Sequence, residues 1–246
     1  MRRLARRLVE RLGIERQARS VQRALGPRSY RRDLRDRDHL RALLAGTLSS
    51  DANCIDVGAN VGEVLEEIVR VAPGGRHIAY EPIPELSAEL ARRFPRVEVR
   101  EAALSNVSEQ TTFRHVRSRP AMSGLREREY GGSEKVELIT VRTETLDSAL
   151  AEDYVPALIK IDVEGAEGLV IAGAMETIVR HRPIVVFEHG KGAAPHYGTR
   201  PARIHEMLTG RAALRIFDLD GNGPFDRNEF ERIFEQGRYW NFVATP

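Results

Sequence analysis

Residues 54–62 read Cys-Ile-Asp-Val-Gly-Ala-Asn-Val-Gly, and a second apolar run, 77–80, ends on the acid Glu81. An apolar strand, a glycine turn and a helix start, with a carboxylate closing the next strand, is how an open α/β sheet holds a nucleoside-bearing ligand. A lone glycine turn would constrain little. Here the segment 158–165, Leu-Ile-Lys-Ile-Asp-Val-Glu-Gly, supplies a second apolar strand that ends on Asp162 and Glu164. The two segments predict a layered α/β domain with a ligand site at one edge of its sheet.

The rest of the chain alternates accordingly. Strands are predicted at 54–57, 77–81, 97–101, 136–141, 158–163, 184–187, 214–217 and 239–243, with helices at 61–71, 84–94, 167–181 and 227–236. Such alternation implies parallel pairing with right-handed crossovers. The run 158–163 is almost continuously apolar, as a strand buried on both faces must be. Pro84 suits a helix first turn, and Pro73-Gly74-Gly75 turns the chain. Residues 117–135 are rich in Arg, Gly and Ser, and predict a mobile loop or lid. Ahead of the domain, Leu4, Leu8 and Leu12, continued by Val21 and Leu25, recur at helical spacing until Gly26-Pro27. A second helix is predicted at 38–48. The expected organisation is a basic helical appendage, 1–48, and an α/β domain, 49–246.

At 246 residues the chain suits one full α/β domain with an appendage. No apolar run approaches the ~20 residues that span a bilayer. The start is basic but lacks the apolar core of a secretory signal; an Arg-rich organellar transit peptide stays open. The single cysteine, Cys54, excludes an internal disulfide and reads as a small core residue. A reducing cytoplasm is the expected setting. Residues 1–42 hold fourteen arginines against five acids, whereas the whole chain carries only +2. The chain has just three lysines, Lys135, Lys160 and Lys191, so its arginine excess is global. That pattern reads as composition rather than phosphate recognition, and nucleic acid is not an expected partner.

In a parallel sheet, ligands bind beyond the carboxyl ends of the strands. Asp56, Glu81, Asp162 and Glu188 all fall at such ends. Burying charge without a partner is costly, so four carboxylates on one rim point to a ligand. Helix capping is the competing account, strongest for Glu164. Gly58 and Gly62 are spaced G-x-x-x-G, whereas a pyrophosphate site needs G-x-G-x-x-G. S-adenosylmethionine has no phosphate; it offers an ammonium, a carboxylate, a ribose diol and a sulfonium. Gly58, with Ala59, Asn60 and Gly62, would let the backbone approach its methionyl end. Asp56 would favour its cationic end, and Glu81, followed by Pro82, would accept both ribose hydroxyl hydrogens. Ala103, Leu104 and Ser105, between Glu101 and Asn106, would border the adenine.

The segments "IDVGANVG", "AYEPIPE", "AALSN", "ETLDS", "LIKIDVEGAEGLVIAGA" and "PIVVFEHG" together resemble the FkbM family of S-adenosylmethionine-dependent methyltransferases. The resemblance covers about residues 52–190, with a weaker tail to 245. It implies a Rossmann-like class I methyltransferase fold: seven strands, mostly parallel, the last antiparallel, with helices on both faces. It also implies O-methylation of hydroxyls on secondary metabolites, sugars or glycolipids. Asp56, Gly58, Asn60 and Gly62 match the family's cofactor turn, Glu81 its ribose-binding acid, and Asp162 and Glu164 its second motif. Asn106 stands where the family often has Asp. The Arg-rich front and residues 117–135 carry no family signature.

A sulfonium methyl is already electrophilic, so such a protein mainly aligns the acceptor oxygen and excludes water. A general base helps if the acceptor is an alcohol. Asp162 is the first candidate base. His189, after Glu188, is the second, because imidazole titrates near neutrality; a histidine that merely opens a loop is an equally good account. His115 and His196 are weaker candidates. Asp162, Glu164 and Glu188 could instead hold a divalent cation on a substrate diol, although no metal is expected. Asp218, Asp220, Asn222, Asp226 and Glu229 fit the twelve-residue calcium loop of an EF-hand. The residues before that loop read as strand rather than helix, and a lone EF-hand lacks its mate. The expected substrate is a small hydroxyl-bearing acceptor, and homodimerisation stays open. Two other classes compete: an NAD(P)-dependent oxidoreductase, disfavoured by the missing middle glycine, and a non-catalytic methyltransferase-like module docking through its basic helices.

Overall fold

The computed structural model describes residues 28–128, 134–237 and 239–246. The chain divides into two compact units, 1–43 and 44–246. In the first, the described residues belong to helix α1 (Arg28–Thr47), which starts well ahead of the predicted 38–48. Its first half is Arg- and Asp-rich, stabilised by pairs one turn apart such as Arg32 Nε to Asp36 Oδ1 (2.7 Å), so it shows no apolar stripe to read. The helix expected over Leu4 to Leu25, with its Gly26-Pro27 stop, lies outside the described residues.

The second unit runs in chain order through β1 (Cys54–Val57), α2 (Glu63–Val71), β2 (Ile78–Tyr80), α3 (Pro84–Arg93), β3 (Glu98–Arg100), β4 (Ala103–Leu104) and β5 (Gln110–Val116). It continues through β6 (Val136–Glu144), α4 (Leu146–Ala149), β7 (Leu158–Ile161), α5 (Glu167–Ala172), α6 (Met175–His181) and β8 (Ile184–Glu188). It closes with α7 (Pro201–His205), β9 (Arg215–Asp218), α8 (Arg227–Gln236) and β10 (Asn241–Thr245).

Seven strands form the main sheet in the order β3-β2-β1-β7-β8-β10-β9. The first five pair in parallel, and β10 runs antiparallel to both its neighbours. Every residue of β1 and β7 is buried, which their apolar composition requires at the centre of a two-faced sheet. The core continues through Phe187 of β8, stacked on Phe242 of β10 at 5.6 Å, and Phe230 of α8, edge-on to Phe242 at 4.9 Å. Each such ring contributes roughly 2–3 kcal/mol by leaving water. A smaller sheet, β4-β6-β5, stands apart from the first.

Three departures from the sequence reading have physical causes. Strand β5 was not expected: its seven residues include only Phe113 and Val116 as apolar residues, and it is held by a full antiparallel ladder to β6. The helix expected at 167–181 is two helices. Gly173 sits at the break, where a side chain would run into the Ser105 carbonyl, and Asp147 caps α6 by accepting the N–H groups of Glu176 (3.0 Å) and Thr177 (2.9 Å). The described part of the predicted lid, residues 117–128, is folded back on β5. It contains a 3₁₀ turn, Pro120–Met122, its Ser123 hydroxyl accepts the Val116 N–H (2.9 Å), and Arg114 pairs with Gly124.

The residues of the candidate calcium loop are engaged with one another and with the backbone. Asp218 ends a strand, and its Oδ1 accepts the N–H groups of Asp220 (3.0 Å) and Asn222 (2.8 Å), while Oδ2 accepts from Asn222 Nδ2 (2.8 Å). Asp226 and Glu229 form a reciprocal capping box at the start of α8. These side chains close a turn and cap a helix. Among the described residues no group of three or more His, Cys, Asp or Glu is placed to hold a metal ion, and no helix is long and apolar enough to cross a membrane. Replacing Asp226 by Ala should therefore cost about 1 kcal/mol, the usual value of an N-cap. Urea unfolding should show that loss equally with calcium and with chelator.

Candidate functional site

The turn from β1 to α2 is held against the end of β2. The N–H groups of Gly58 (3.0 Å) and Ala59 (3.1 Å) both donate to the Tyr80 carbonyl, and Gly62 donates to Ala59 (2.7 Å). Three turn residues take left-handed backbone: Gly58 (φ 74°), Asn60 (φ 49°) and Gly62 (φ 79°). A side chain at Gly58 would overlap the carbonyl oxygen of Asp162. At Gly62 it would meet Leu90 (2.7 Å) and Phe94 (2.8 Å), on and just after α3. Gly58 is thus required by the contact between the two motifs themselves, a reason the sequence alone does not reveal.

Glu81 is buried at the end of β2. Its Oε2 accepts the Asn60 N–H (2.8 Å) and its Oε1 the Ile83 N–H (2.9 Å), which brings the acid to the glycine turn and brackets Pro82. Burial raises its pKa to about 7, against the pull of those two backbone donors.

Lys160 joins the motifs electrostatically. It is registered opposite Asp56 across the β1–β7 pair. Its Nζ lies 3.0 Å from Asp56 Oδ1 and 3.8 Å from Asp162 Oδ2. It also donates to the carbonyls of Gly58 (3.1 Å) and Val57 (3.5 Å). Burial opposes its charge, but Asp56 and Asp162 outweigh that and raise its pKa. Burial raises the Asp56 carboxyl, with Lys160 pulling the other way.

The acids beyond Asp162 are each engaged. Glu164, in left-handed backbone (φ 59°), accepts from Arg128 Nη1 at 2.6 Å. Burial, then Asp162, still push it up to about 7. Glu167 is buried and accepts the N–H groups of Val163 (3.1 Å) and Gly165 (3.0 Å) through Oε1; burial raises it to about 7. Half-buried Glu188 is raised well above the ordinary range by burial and then by Asp162, Glu164 and Glu167. Asp162 is the open member, with 45% of its side chain exposed.

The structure thus brings together Asp56, Gly58, Ala59, Asn60, Gly62, Glu81, Pro82, Asp162 and Glu164, with Glu188 beside Asp162. It corrects His189. That ring is fully buried, stacks on Phe234 at 4.7 Å, has no hydrogen-bond partner at either nitrogen, and burial lowers its pKa to about 4. An imidazole so placed cannot reach an acceptor. His115 is buried on β5, and His196 is exposed in a 3₁₀ turn, Ala194–Tyr197. Asp162, Glu164 and Glu188 do not make a metal-binding group. Ala103 and Leu104 form β4, paired to β6, and Ser105 is buried with its N–H on the Glu144 carbonyl (2.8 Å), so these three have structural partners.

Sequence reasoning missed Lys160, Arg128 and Tyr197, whose hydroxyl accepts the Arg126 N–H (3.1 Å). For Lys160 a signal existed: a lone charge inside an apolar strand, opposite an acid, in a chain that otherwise prefers arginine. Arg128 and Tyr197 carried none.

The strand order, the single antiparallel strand and the glycine turn at the central strand define a class I methyltransferase fold. The profile of the Methyltransferase FkbM domain matches residues 56–214, well over half of the chain, and the protein belongs to that family of methyltransferases. A crystal structure of methyltransferase FkbM from Methylobacillus flagellatus KT superposes with a TM-score of 0.51 at 18% identity, over 82% of this chain and 46% of that one. A TehB-like SAM-dependent methyltransferase from Corynebacterium glutamicum gives 0.42 at 14% identity, over 94% of both chains. In sequence, 84 residues are 37% identical to AMB antimetabolite synthetase AmbE of Pseudomonas aeruginosa, 32% of this chain and 4% of that protein. The chain therefore spans under half of the M. flagellatus chain and a small part of AmbE. Family membership displaces the oxidoreductase alternative.

Replacing Gly58 by Ala combines left-handed backbone with overlap on the Asp162 carbonyl. It should cost about 3 kcal/mol or more, read as a lowered urea midpoint with an unchanged slope.

Proposed function

We propose that this protein transfers a methyl group from S-adenosylmethionine to a hydroxyl of a small molecule, sugar or natural product. The observation that carries the reading is the joining of two distant motifs at adjacent central strands, with Gly58 on the Asp162 carbonyl and Lys160 between Asp56 and Asp162. The donor set fits the cofactor. Carboxylates, rather than a phosphate cradle, suit a sulfonium and an ammonium, and Glu81 offers two oxygens to a diol. When bound, S-adenosylmethionine supplies an electrophilic methyl group. The chain's own residues then bind, orient and deprotonate. The Gly58–Gly62 turn supplies close backbone approach. Asp162, the exposed carboxylate, takes the proton of the acceptor hydroxyl. Residues 117–128 are tied down beside it through Arg128 and Tyr197. The sole thiol, Cys54, is buried with its pKa pushed up to about 12, an inert group compatible with the cytoplasmic residence proposed for the protein.

The ribose assignment has a pH signature. Accepting two hydroxyl hydrogens requires ionised Glu81, and the free protein's Glu81 loses its proton near pH 7. Calorimetry should show S-adenosylhomocysteine binding roughly tenfold tighter at pH 8 than at pH 6, as ionisation proceeds. E81Q should bind weakly and without that slope; unchanged affinity in Glu81→Ala sinks the assignment. Asp162→Asn should lower methyl transfer from labelled S-adenosylmethionine by about 100-fold, in the range of a lost general base, while S-adenosylhomocysteine affinity holds within about threefold. Full turnover in that variant would remove Asp162 as the base.

A further inference from the structure

Lysine is rare in this chain, and Lys160 alone of the three is buried; Lys135 and Lys191 are exposed. Its site asks for a point donor. Four acceptor oxygens on two segments, 56–58 and Asp162, converge on one nitrogen: Asp56 Oδ1 (3.0 Å), Gly58 O (3.1 Å), Val57 O (3.5 Å) and Asp162 Oδ2 (3.8 Å). An ammonium carries three rotatable donors on a flexible stem, whereas guanidinium donors are spread over a rigid plane. Hydrogen bonds to the Gly58 and Val57 carbonyls engage two of the three N–H groups, with Asp56 Oδ1 at ion-pair distance. Asp162 Oδ2 lies at the longer ion-pair distance of 3.8 Å. One end of this cluster is the backbone of the glycine turn, and the other is the exposed carboxylate.

We propose that Lys160 is a positioning residue for the transfer: anchored by Asp56 and the Gly58 carbonyl, its ammonium holds Asp162 and ties it to the cofactor turn. The role rests on the assignment of Asp162 as proton acceptor. Asp162 also faces Glu188 from β8, Glu164 and Glu167 from the following loop and helix, and Arg128, through Glu164, from residues 117–128. Against three acids on that side, Lys160 is the one cation within 4 Å of the Asp162 carboxylate among the described residues. Its removal would leave Asp56 buried without its partner as well, so a Lys160 variant is a poor first test.

The test uses the intact chain with its own lysine. A ¹⁵Nζ–¹Hζ correlation spectrum of the side-chain ammonium groups has three candidate signals, and only buried Lys160 should exchange slowly with water. In Asp162→Asn, its signal should shift and its protons should exchange several-fold faster, while Lys135 and Lys191 stay in place. Added S-adenosylhomocysteine should move the same signal in the wild type, because Nζ touches the Gly58 carbonyl. A Lys160 signal unmoved by D162N, in a protein with unchanged circular dichroism, would show a lysine serving Asp56 alone and overturn the proposal. A signal unmoved by S-adenosylhomocysteine that calorimetry shows to be bound would overturn the tie to the turn. Failure of S-adenosylhomocysteine to bind would overturn the cofactor reading and that tie with it, and the D162N comparison, made without ligand, would still decide the Lys160–Asp162 contact.

Discussion

A charge held inside the centre of the sheet is the constraint on which this fold turns. Asp56 and Lys160 face each other across β1 and β7, both buried, 3.0 Å apart. Two such ions leave water only if they meet each other with good geometry, and deleting one partner of a buried pair typically costs about 3–5 kcal/mol. Their pairing requires β1 and β7 to be neighbours in this register. A one-residue slip of either strand would put its charge on the opposite face from its partner. The central position of β7 in turn follows from its apolar neighbours Leu158, Ile159 and Ile161, which need cover on both sides. The same register brings the Asp162 N–H onto the Val57 carbonyl (3.1 Å) and its own carbonyl onto Gly58. Sheet geometry and site geometry are therefore one arrangement, since the chain turns away on both strands at the edge where ligands enter such folds.

Around that pair the acids divide the work. Five carboxylates crowd the rim, and if all were equally free the site could not keep them charged. Glu81 accepts one backbone N–H at each oxygen and Glu167 accepts two at Oε1, and both sit near pKa 7 because burial outweighs those bonds. Glu164 is matched by Arg128, which is itself only 10% exposed. Glu188 is pressed toward its neutral form by burial and its neighbours. Asp162 alone combines exposure with a cation at hand. The proton-acceptor role proposed for Asp162 rests on what the other four are committed to, and on the burial of His189 against Phe234.

Much of this was legible in the sequence, and the failures have physical sources. The strand–turn–helix at 54–71, the acid after β2, the central strand at 158–163 and the helix at 227–236 all carry their own periodicity or punctuation. Local pattern could not see what depended on a distant partner. Strand β5 forms because β6 offers a ladder, not because its own residues are apolar. The helix after β7 breaks because Gly173 meets Ser105, some seventy residues earlier in the chain. The Asp218–Glu229 match to a calcium loop is ambiguous because the same residue types that bind cations also close turns and cap helices, as they do here after a strand. His189 looked like a base because an imidazole beside an acid at a strand end suits that chemistry; only the packing of α8 reveals it as a core residue. Lys160 went unread because a lone lysine in a strand has no motif until the opposite strand is placed.

The covering loop completes the logic. Residues 117–128 leave β5, a strand of the small sheet, and reach the second motif of the large one. Their contacts there are few and directional: Arg128 to Glu164, and the Arg126 N–H to the Tyr197 hydroxyl. Glu164 holds left-handed backbone, an uncommon state for a residue with a side chain, and it persists where its surroundings over-determine it. Gly165 beside it packs so closely on Ala193 that a side chain would not fit. The turn after Asp162 is thus fixed from below by Ala193 and from above by Arg128. The loop is joined to the site by an ion pair and a hydrogen bond, and Leu125 packs it on Ile83, Phe113 and Val141. Asp162, Glu164 and Gly165 lie on one short segment that touches both the Gly58 turn and residues 117–128, so any rearrangement of that segment is felt by both.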